Sequence, residues 1–164
     1  MGTAGAAALA RPLAALTMLT ALDLSWNRLG GGGARALAPA LSRLSRLVHL
    51  NLAENNINAT GAAALVQPLA ALTALTALSL DHNEICDVGA EALAPALSRL
   101  SHLQHLFIGG NLLSDHSLVH LVPALAGLAN LEVLFLDAGG YRQRLSRNAE
   151  AQLRAKLPGI RHIF

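Results

Sequence analysis

The chain has 164 residues, of which 53% are hydrophobic and 13% are charged, and its formal net charge is +2. This composition excludes a disordered chain and is typical of one core-rich domain. Aromatic residues make up only 3% of the chain, and six of the 12 basic residues lie in its last 23 positions. A nucleic-acid surface interleaves the two residue types, so we predict no nucleic acid as a partner.

The first 18 residues are predicted to form a helix, because Leu9, Leu13 and Leu16 fall on one helical face. This segment does not have the pattern of a signal peptide, since it lacks a basic start and Arg11 interrupts the apolar stretch. One cysteine, Cys86, is compatible with a reducing compartment. We therefore predict a cytoplasmic protein that does not bind a membrane.

A pattern of the form L-x-x-L-x-L-x-x-N begins at Leu19 and recurs every 28 residues, at Leu47, Leu75, Leu103 and Leu131. Alternation within each copy predicts a short strand with its leucines in the core, and a helix follows. The first four copies end in an asparagine, which the fifth replaces with Gly139; the asparagines are Asn27, Asn55, Asn83 and Asn111. Their amides are predicted to satisfy backbone groups of adjacent turns, and losing one is expected to cost about 1–3 kcal/mol.

Two features of the predicted helices concern their ends. Thr3, Asp87 and Asp115 are predicted to be N-caps, because a side-chain oxygen can accept from a free backbone amide there. A proline stands late in five helices, at Pro12, Pro39, Pro68, Pro95 and Pro123. We expect each proline to lie outside the leucine face and to kink its helix, or else the helix to end before it.

The two ends of the chain differ from its middle. The strand near Leu22 has no strand before it, and such an open sheet edge could support self-association. After residue 140 the pattern decays, Tyr141 replaces the usual aliphatic residue, and a helix at roughly 148–156 and a strand at 160–164 are predicted. We expect a single domain over 1–164, with a partial helical half-repeat at 1–18, repeats at 19–145 and a C-terminal cap at 146–164.

The 28-residue unit resembles the ribonuclease-inhibitor-like class of leucine-rich repeats, and the helix starts Gly33–Ala38 and Gly89–Ala94 carry this resemblance best. The class includes repeat segments of NOD-like receptors and Ran GTPase-activating proteins. The resemblance implies an α/β solenoid, a curved right-handed superhelix with parallel strands on the concave face and helices on the convex face. It also implies a non-enzymatic protein-recognition module without a cofactor, which binds a protein partner through the concave face and the loop rim.

On such a concave face, outward residues that are one repeat apart become neighbours. Phe107 and Phe135 are therefore expected side by side, next to His105. Two exposed aromatic side chains can anchor a partner, and the alternative is that they pack on each other and on the C-terminal cap. The predicted partner-binding residues are Phe107, Phe135, His105, His49, Asn51 and Asp81.

Other patterns suggest catalysis or metal binding only weakly. Ser79, Asp81 and His82 are the residue types of a hydrolytic triad, but no nucleophile elbow accompanies them. His116 and His120 have the i, i+4 spacing of two metal ligands, but no third ligand is evident. We predict neither catalysis nor a metal site.

Two single residues have structural interpretations. Trp26 is expected to shield the open N-terminal end, and Cys86 to be a small buried packing thiol. Two alternatives to the recognition module stay open. One is a GTPase activator resembling the Ran GTPase-activating proteins. The other is a structural fragment of a larger repeat protein, which the near-duplication of segments 56 positions apart also permits.

Overall fold

The computed structural model describes residues 1–136 and 145–163, which alternate between helices and short strands. The helices are α1 (Gly2–Ala14), α2 (Gly30–Leu41), α3 (Ala59–Ala71), α4 (Cys86–Leu97), α5 (Leu118–Ala126, preceded by a 3-10 turn at Asp115–Ser117) and α6 (Arg147–Lys156). The strands are β1 (Ala21–Asp23), β2 (His49–Asn51), β3 (Ala77–Ser79), β4 (His105–Phe107), β5 (Val133–Phe135) and β6 (Arg161–Ile163). Within the described ranges, no helix combines the length and apolarity needed to cross a membrane.

All of these strands are parallel and follow chain order in one open sheet, which confirms the predicted α/β solenoid. The helix and strand expected near the C-terminus are α6 and β6. The expectations about Gly139 and Tyr141 concern positions outside the described residues.

Leucines at equivalent repeat positions form one continuous core between the sheet and the helices. The strand leucines are at most 2% exposed from the second repeat onward; they are Leu50, Leu78, Leu106 and Leu134. Leu50, Leu78 and Leu106 each lie between equivalent leucines on both neighbouring strands, and Leu134 pairs with Leu106, so adjacent repeats exclude water from these side chains. The stability of one repeat therefore depends on the repeats beside it.

The N-terminal end has a neighbour on one side only. Leu16 is 52% exposed there, whereas its equivalents in the next three repeats are fully buried. Met18 is 66% exposed, and Trp26 is 75% exposed, so the expectation that Trp26 shields this end is wrong. β1 is the edge strand, as predicted, and the carboxylate of Asp23 accepts the Ser25 amide at 2.8 Å. An acidic side chain at a sheet edge opposes indiscriminate strand pairing.

Buried asparagines join adjacent repeats in a hydrogen-bonded ladder. The Asn83 amide nitrogen donates to Leu52 O at 3.0 Å in the preceding repeat, and to two carbonyls of its own turn at 2.9 and 3.1 Å. Its oxygen accepts from the backbone amides of Asn55 and Ile57 at 3.1 and 2.9 Å. Asn55 and Asn111 have comparable contacts, which confirms the predicted role of these side chains.

The helix caps differ from the prediction. Thr3 and Asp87 lie inside the first turns of α1 and α4, and Asp115 is the first residue of the 3-10 turn, so none is an N-cap. The helices begin at or before these residues, which leaves the side chains past the capping position. Asp87 instead binds the next repeat, accepting from the Ser114 amide and hydroxyl at 2.8 and 2.6 Å. The residues whose side chains do accept from an amide at a helix start are Asn58, Ser114 and Ser146.

Proline does not end any of α1 to α5, because each helix continues past it. Pro39 is exposed as predicted, but Pro68 is buried, so the expectation that every proline lies outside the core face is wrong. Pro68 stands 29 residues after Pro39 rather than 28. This single-residue offset rotates it by about 100° around the helix and towards the core.

Buried glycines allow the helices to pack closely. Gly33, Gly61 and Gly89 are one repeat apart and buried. A Cβ atom on Gly61 would lie 2.9 Å from the Cα of Gly31 on the preceding helix. Real Cβ atoms do not approach backbone this closely, so this helix spacing requires glycine.

Candidate functional site

The sheet register places equivalent outward residues side by side in columns. The first column contains Ala21, His49, Ala77, His105 and Val133, and the second contains Asp23, Asn51, Ser79, Phe107 and Phe135. The columns are those predicted from the 28-residue spacing. The third continues this order through Ser25, Ala53, Asp81 and Gly109, while Asp137 lies outside the described residues.

The structure brings three of the predicted residues together on β4 and β5. The ring centroids of Phe107 and Phe135 are 6.2 Å apart at an interplanar angle of 43°. The His105 ring is nearly parallel to that of Phe107, with centroids 6.5 Å apart. Both distances fall in the range of favourable aromatic contacts. All three side chains remain partly exposed, so they pack on each other and still present a surface, which we call the aromatic cluster.

The predicted residues on β2 lie apart from this cluster, because β3 separates the two strands. His49 is exposed between Ala21 and Ala77. Asn51 donates from Nδ2 to Asp23 Oδ2 at 3.1 Å and accepts the amide of Ala53 at 3.0 Å. The predicted set therefore consists of an aromatic part and a polar part.

Asp81 borders the aromatic cluster. Its Oδ1 accepts the Gly109 amide at 2.8 Å, and its Oδ2 accepts the Ser79 hydroxyl at 3.3 Å. Burial raises the pKa of Asp81 above its ordinary value, and the negative charge of Glu54 adds to this, whereas the two hydrogen bonds and the charge of His82 oppose it. A carboxylate has about four acceptor positions, so both oxygens of Asp81 retain capacity for a further donor.

Two acidic residues near this surface were not among the predicted contacts. Asp23 lies one repeat before Asn51, and its Oδ1 accepts the Ser25 amide and hydroxyl at 2.8 and 2.7 Å. The Ser25 hydroxyl bond, with that of the amide, lowers the pKa of Asp23. Glu54 follows β2 in a left-handed conformation with φ of 56°. The column arithmetic that led to Asn51 was the signal for Asp23, and the same spacing places Ala53 beside Asp81 and so Glu54 close to it.

The geometry around Ser79 differs from that of a hydrolytic triad. The hydroxyl donates to the carboxylate of Asp81 and not to an imidazole, so the nucleophile-to-base hydrogen bond is missing from this group. His82 has a left-handed backbone with φ of 51°. Its Nδ1 lies 2.6 Å from where a Cβ on Gly110 would be, so the imidazole covers that glycine.

The histidine pair and the cysteine are placed as follows. The rings of His116 and His120 are 5.9 Å apart and edge-to-face. Across residues 1–136 and 145–163, His, Cys, Asp and Glu form no group of three that could hold a metal ion. Cys86 is half-buried, not buried as predicted, and it begins α4 with a left-handed φ of 52°.

Comparisons with known proteins agree with this architecture. A family model described as leucine-rich repeat matches residues 15–38, 45–66 and 71–94. Among solved structures, the tropomodulin C-terminal domain of Caenorhabditis elegans is similar at a TM-score of 0.70 and 14% identity, covering 95% of this chain and 91% of that one. A structure titled leiomodin-1 actin-binding site 2 has a TM-score of 0.57 and 13% identity, covering 94% of this chain and 78% of that one. None of the curated proteins matches in sequence. At these identities the likeness concerns the fold.

Proposed function

Because the chain is a leucine-rich repeat protein, we propose that it is a non-enzymatic recognition module that binds a protein partner through its concave strand face and loop rim. The observation that carries this proposal is the aromatic cluster, in which Phe107 and Phe135 lie 6.2 Å apart and partly exposed. Aromatic side chains lose little conformational entropy when they bind, and they are enriched among residues that dominate binding energy.

Phe107, Phe135 and His105 are proposed to form the anchor of the binding surface. Their backbone belongs to neighbouring strands of a regular sheet, so the partner meets side chains whose spacing is already fixed. Asp81 is proposed to supply a polar contact beside the anchor. His49 and Asn51 are proposed to extend the contact area two strands away.

We further assign the repeats to the ribonuclease-inhibitor-like class. The support is the 28-residue spacing together with a helix of 13 residues in a repeat such as the one containing α3. A cytoplasmic location is proposed from the single cysteine, which suits a reducing compartment.

The proposal can be tested by selecting binders from a phage-displayed library of random peptides on the wild-type protein. Selected clones are then titrated against Phe107→Ala and against Val119→Ala. Val119 is 63% exposed on α5, away from the strand face, and so serves as the matched control. We expect Phe107→Ala to weaken binding by about tenfold or more, and Val119→Ala to leave it unchanged.

Clones that bind Phe107→Ala as well as they bind the wild type would contradict the proposal, provided that circular dichroism shows an unchanged thermal transition. Purified actin is a useful additional probe, because the leiomodin-1 title names an actin-binding site. Binding of actin that is sensitive to Phe107→Ala would support the concave face as the recognition surface.

A further inference from the structure

Charge is distributed unevenly between the two edges of the sheet. The strands of the first four repeats and the loops that follow them carry four acidic residues and one basic residue; these are Asp23, Glu54, Asp81, Glu84 and Arg28. The turns that lead from α2 and α4 into the next strands carry three basic residues and no acidic one; these are Arg43, Arg46 and Arg99. A partner docking on the strand face from the loop rim therefore meets negative potential.

One of these acidic residues, Asp81, lies beside the aromatic cluster. Asp81 accepts the Gly109 amide, and Gly109 follows Phe107 by two residues. The negative charge of Glu54 disfavours the ionised form of Asp81, and the charge of His82 opposes this effect. A cation placed near Asp81 would find unused acceptor positions on its two oxygens.

The neighbours of Asp81 in its column are small. Ala53 stands before it and Gly109 after it, so no bulky side chain flanks the carboxylate along the column. The rings of Phe107 and Phe135 belong to the next two strands, β4 and β5. A long side chain with a charged end could lie across the small residues while an adjacent apolar side chain packs on the rings.

Resting on the proposed function, we propose that the concave face binds a cationic protein segment in which an apolar side chain packs on Phe107 and Phe135 and a nearby Lys or Arg contacts Asp81. The anchor supplies buried area and Asp81 supplies selection by charge. Arginine suits the site best, because its fork can donate to both carboxylate oxygens.

The test uses the same library of random peptides. Peptides selected on the wild type are sequenced, and their affinities are measured for wild type, Asp81→Asn, Glu54→Gln and Phe107→Ala at two salt concentrations. Asparagine retains an oxygen that can accept the Gly109 amide, as Asn51 does for Ala53, so the local backbone is expected to persist. Glu91→Gln on α4 is the matched charge control.

We expect the selected peptides to be enriched in Arg and Lys next to apolar residues. Asp81→Asn should weaken them by about tenfold or more, Glu54→Gln by less, and Glu91→Gln not at all. The affinity of the wild type should fall with added salt, and that of Asp81→Asn should fall less.

Neutral or acidic peptides that lose affinity for Phe107→Ala but bind Asp81→Asn normally would overturn this inference and leave the proposed function in place. A selection that yields no clone dependent on Phe107 would contradict the proposed function, and this inference with it.

Discussion

Replacing Asn83 with leucine removes a ladder side chain that makes five hydrogen bonds. Asn83 is 3% exposed, and its oxygen is the acceptor for the backbone amides of Asn55 and Ile57. Leucine has the same branched arrangement of heavy atoms but no acceptor, so both amides stay buried without a partner. Three carbonyls also lose the donor that Nδ2 provides.

The expected destabilisation follows from these unpaired groups. A buried donor left unsatisfied costs about 1–3 kcal/mol, so the two amides together cost about 2–6 kcal/mol. This exceeds the value expected from the sequence, which treated the side chain as one interaction. A domain is typically stable by about 5–15 kcal/mol, so the variant should lose a large share of its stability.

Asn27→Leu is the matched control, since it makes the same change at the same repeat position. The Asn27 amide donates to Leu24 O and Ser25 O at 3.0 and 2.9 Å and is only partly buried, so its loss should cost about 1 kcal/mol. Urea unfolding followed by far-ultraviolet circular dichroism measures both variants. Equal midpoint shifts for the two variants, or an unchanged midpoint for Asn83→Leu, would refute the reasoning.

Gly61→Ala should lower the free energy of unfolding in urea by about 1–3 kcal/mol, because its Cβ would meet the backbone of the preceding helix. Gly127→Ala is the control, because a Cβ there meets open space, and it should not lower the urea midpoint. Burial raises the pKa of Asp81 above 3.8, so the folded state binds this proton more tightly than the unfolded state, and stability falls as the pH rises from 3.8 through the folded pKa. Asp81→Asn should therefore raise the Tm relative to wild type at neutral pH but not below pH 3.8, and an equal difference at both would contradict this assignment. Self-association through the open edge predicts that Met18→Lys reduces the concentration-dependent increase in mass measured by light scattering. Val88→Lys is the control, because Val88 on α4 is equally exposed at 66%, and it should leave association unchanged. Identical masses for both variants at every concentration would argue against association through that edge.

The fold could be predicted from the sequence because one spacing determines it. A constant 28-residue period fixes which residues become neighbours in every repeat, and so it placed Phe107 beside Phe135 and Asn83 in the ladder. Such predictions depend only on counting along the chain. They do not require any side-chain conformation to be known.

Features that depend on exact helix position were harder to predict. A one-residue offset was enough to bury Pro68, and helix starts two residues earlier than expected removed Thr3 and Asp87 from the capping position. Exposure at the first repeat was also misjudged, because Trp26 is 75% exposed and does not shield this end. The 28-residue spacing places Glu54 beside His82 and so near Asp81, but the left-handed backbone of Glu54 is a local feature that periodicity does not predict.

The asparagine ladder also bears on how the molecule folds. Its bonds between repeats join residues that are 26 to 31 positions apart in sequence. The entropy lost on closing each loop is therefore nearly the same at every junction, and no contact of this kind has to wait for a distant part of the chain. Folding can begin at any pair of adjacent repeats and extend in both directions, and a longer array of the same unit would keep a low contact order.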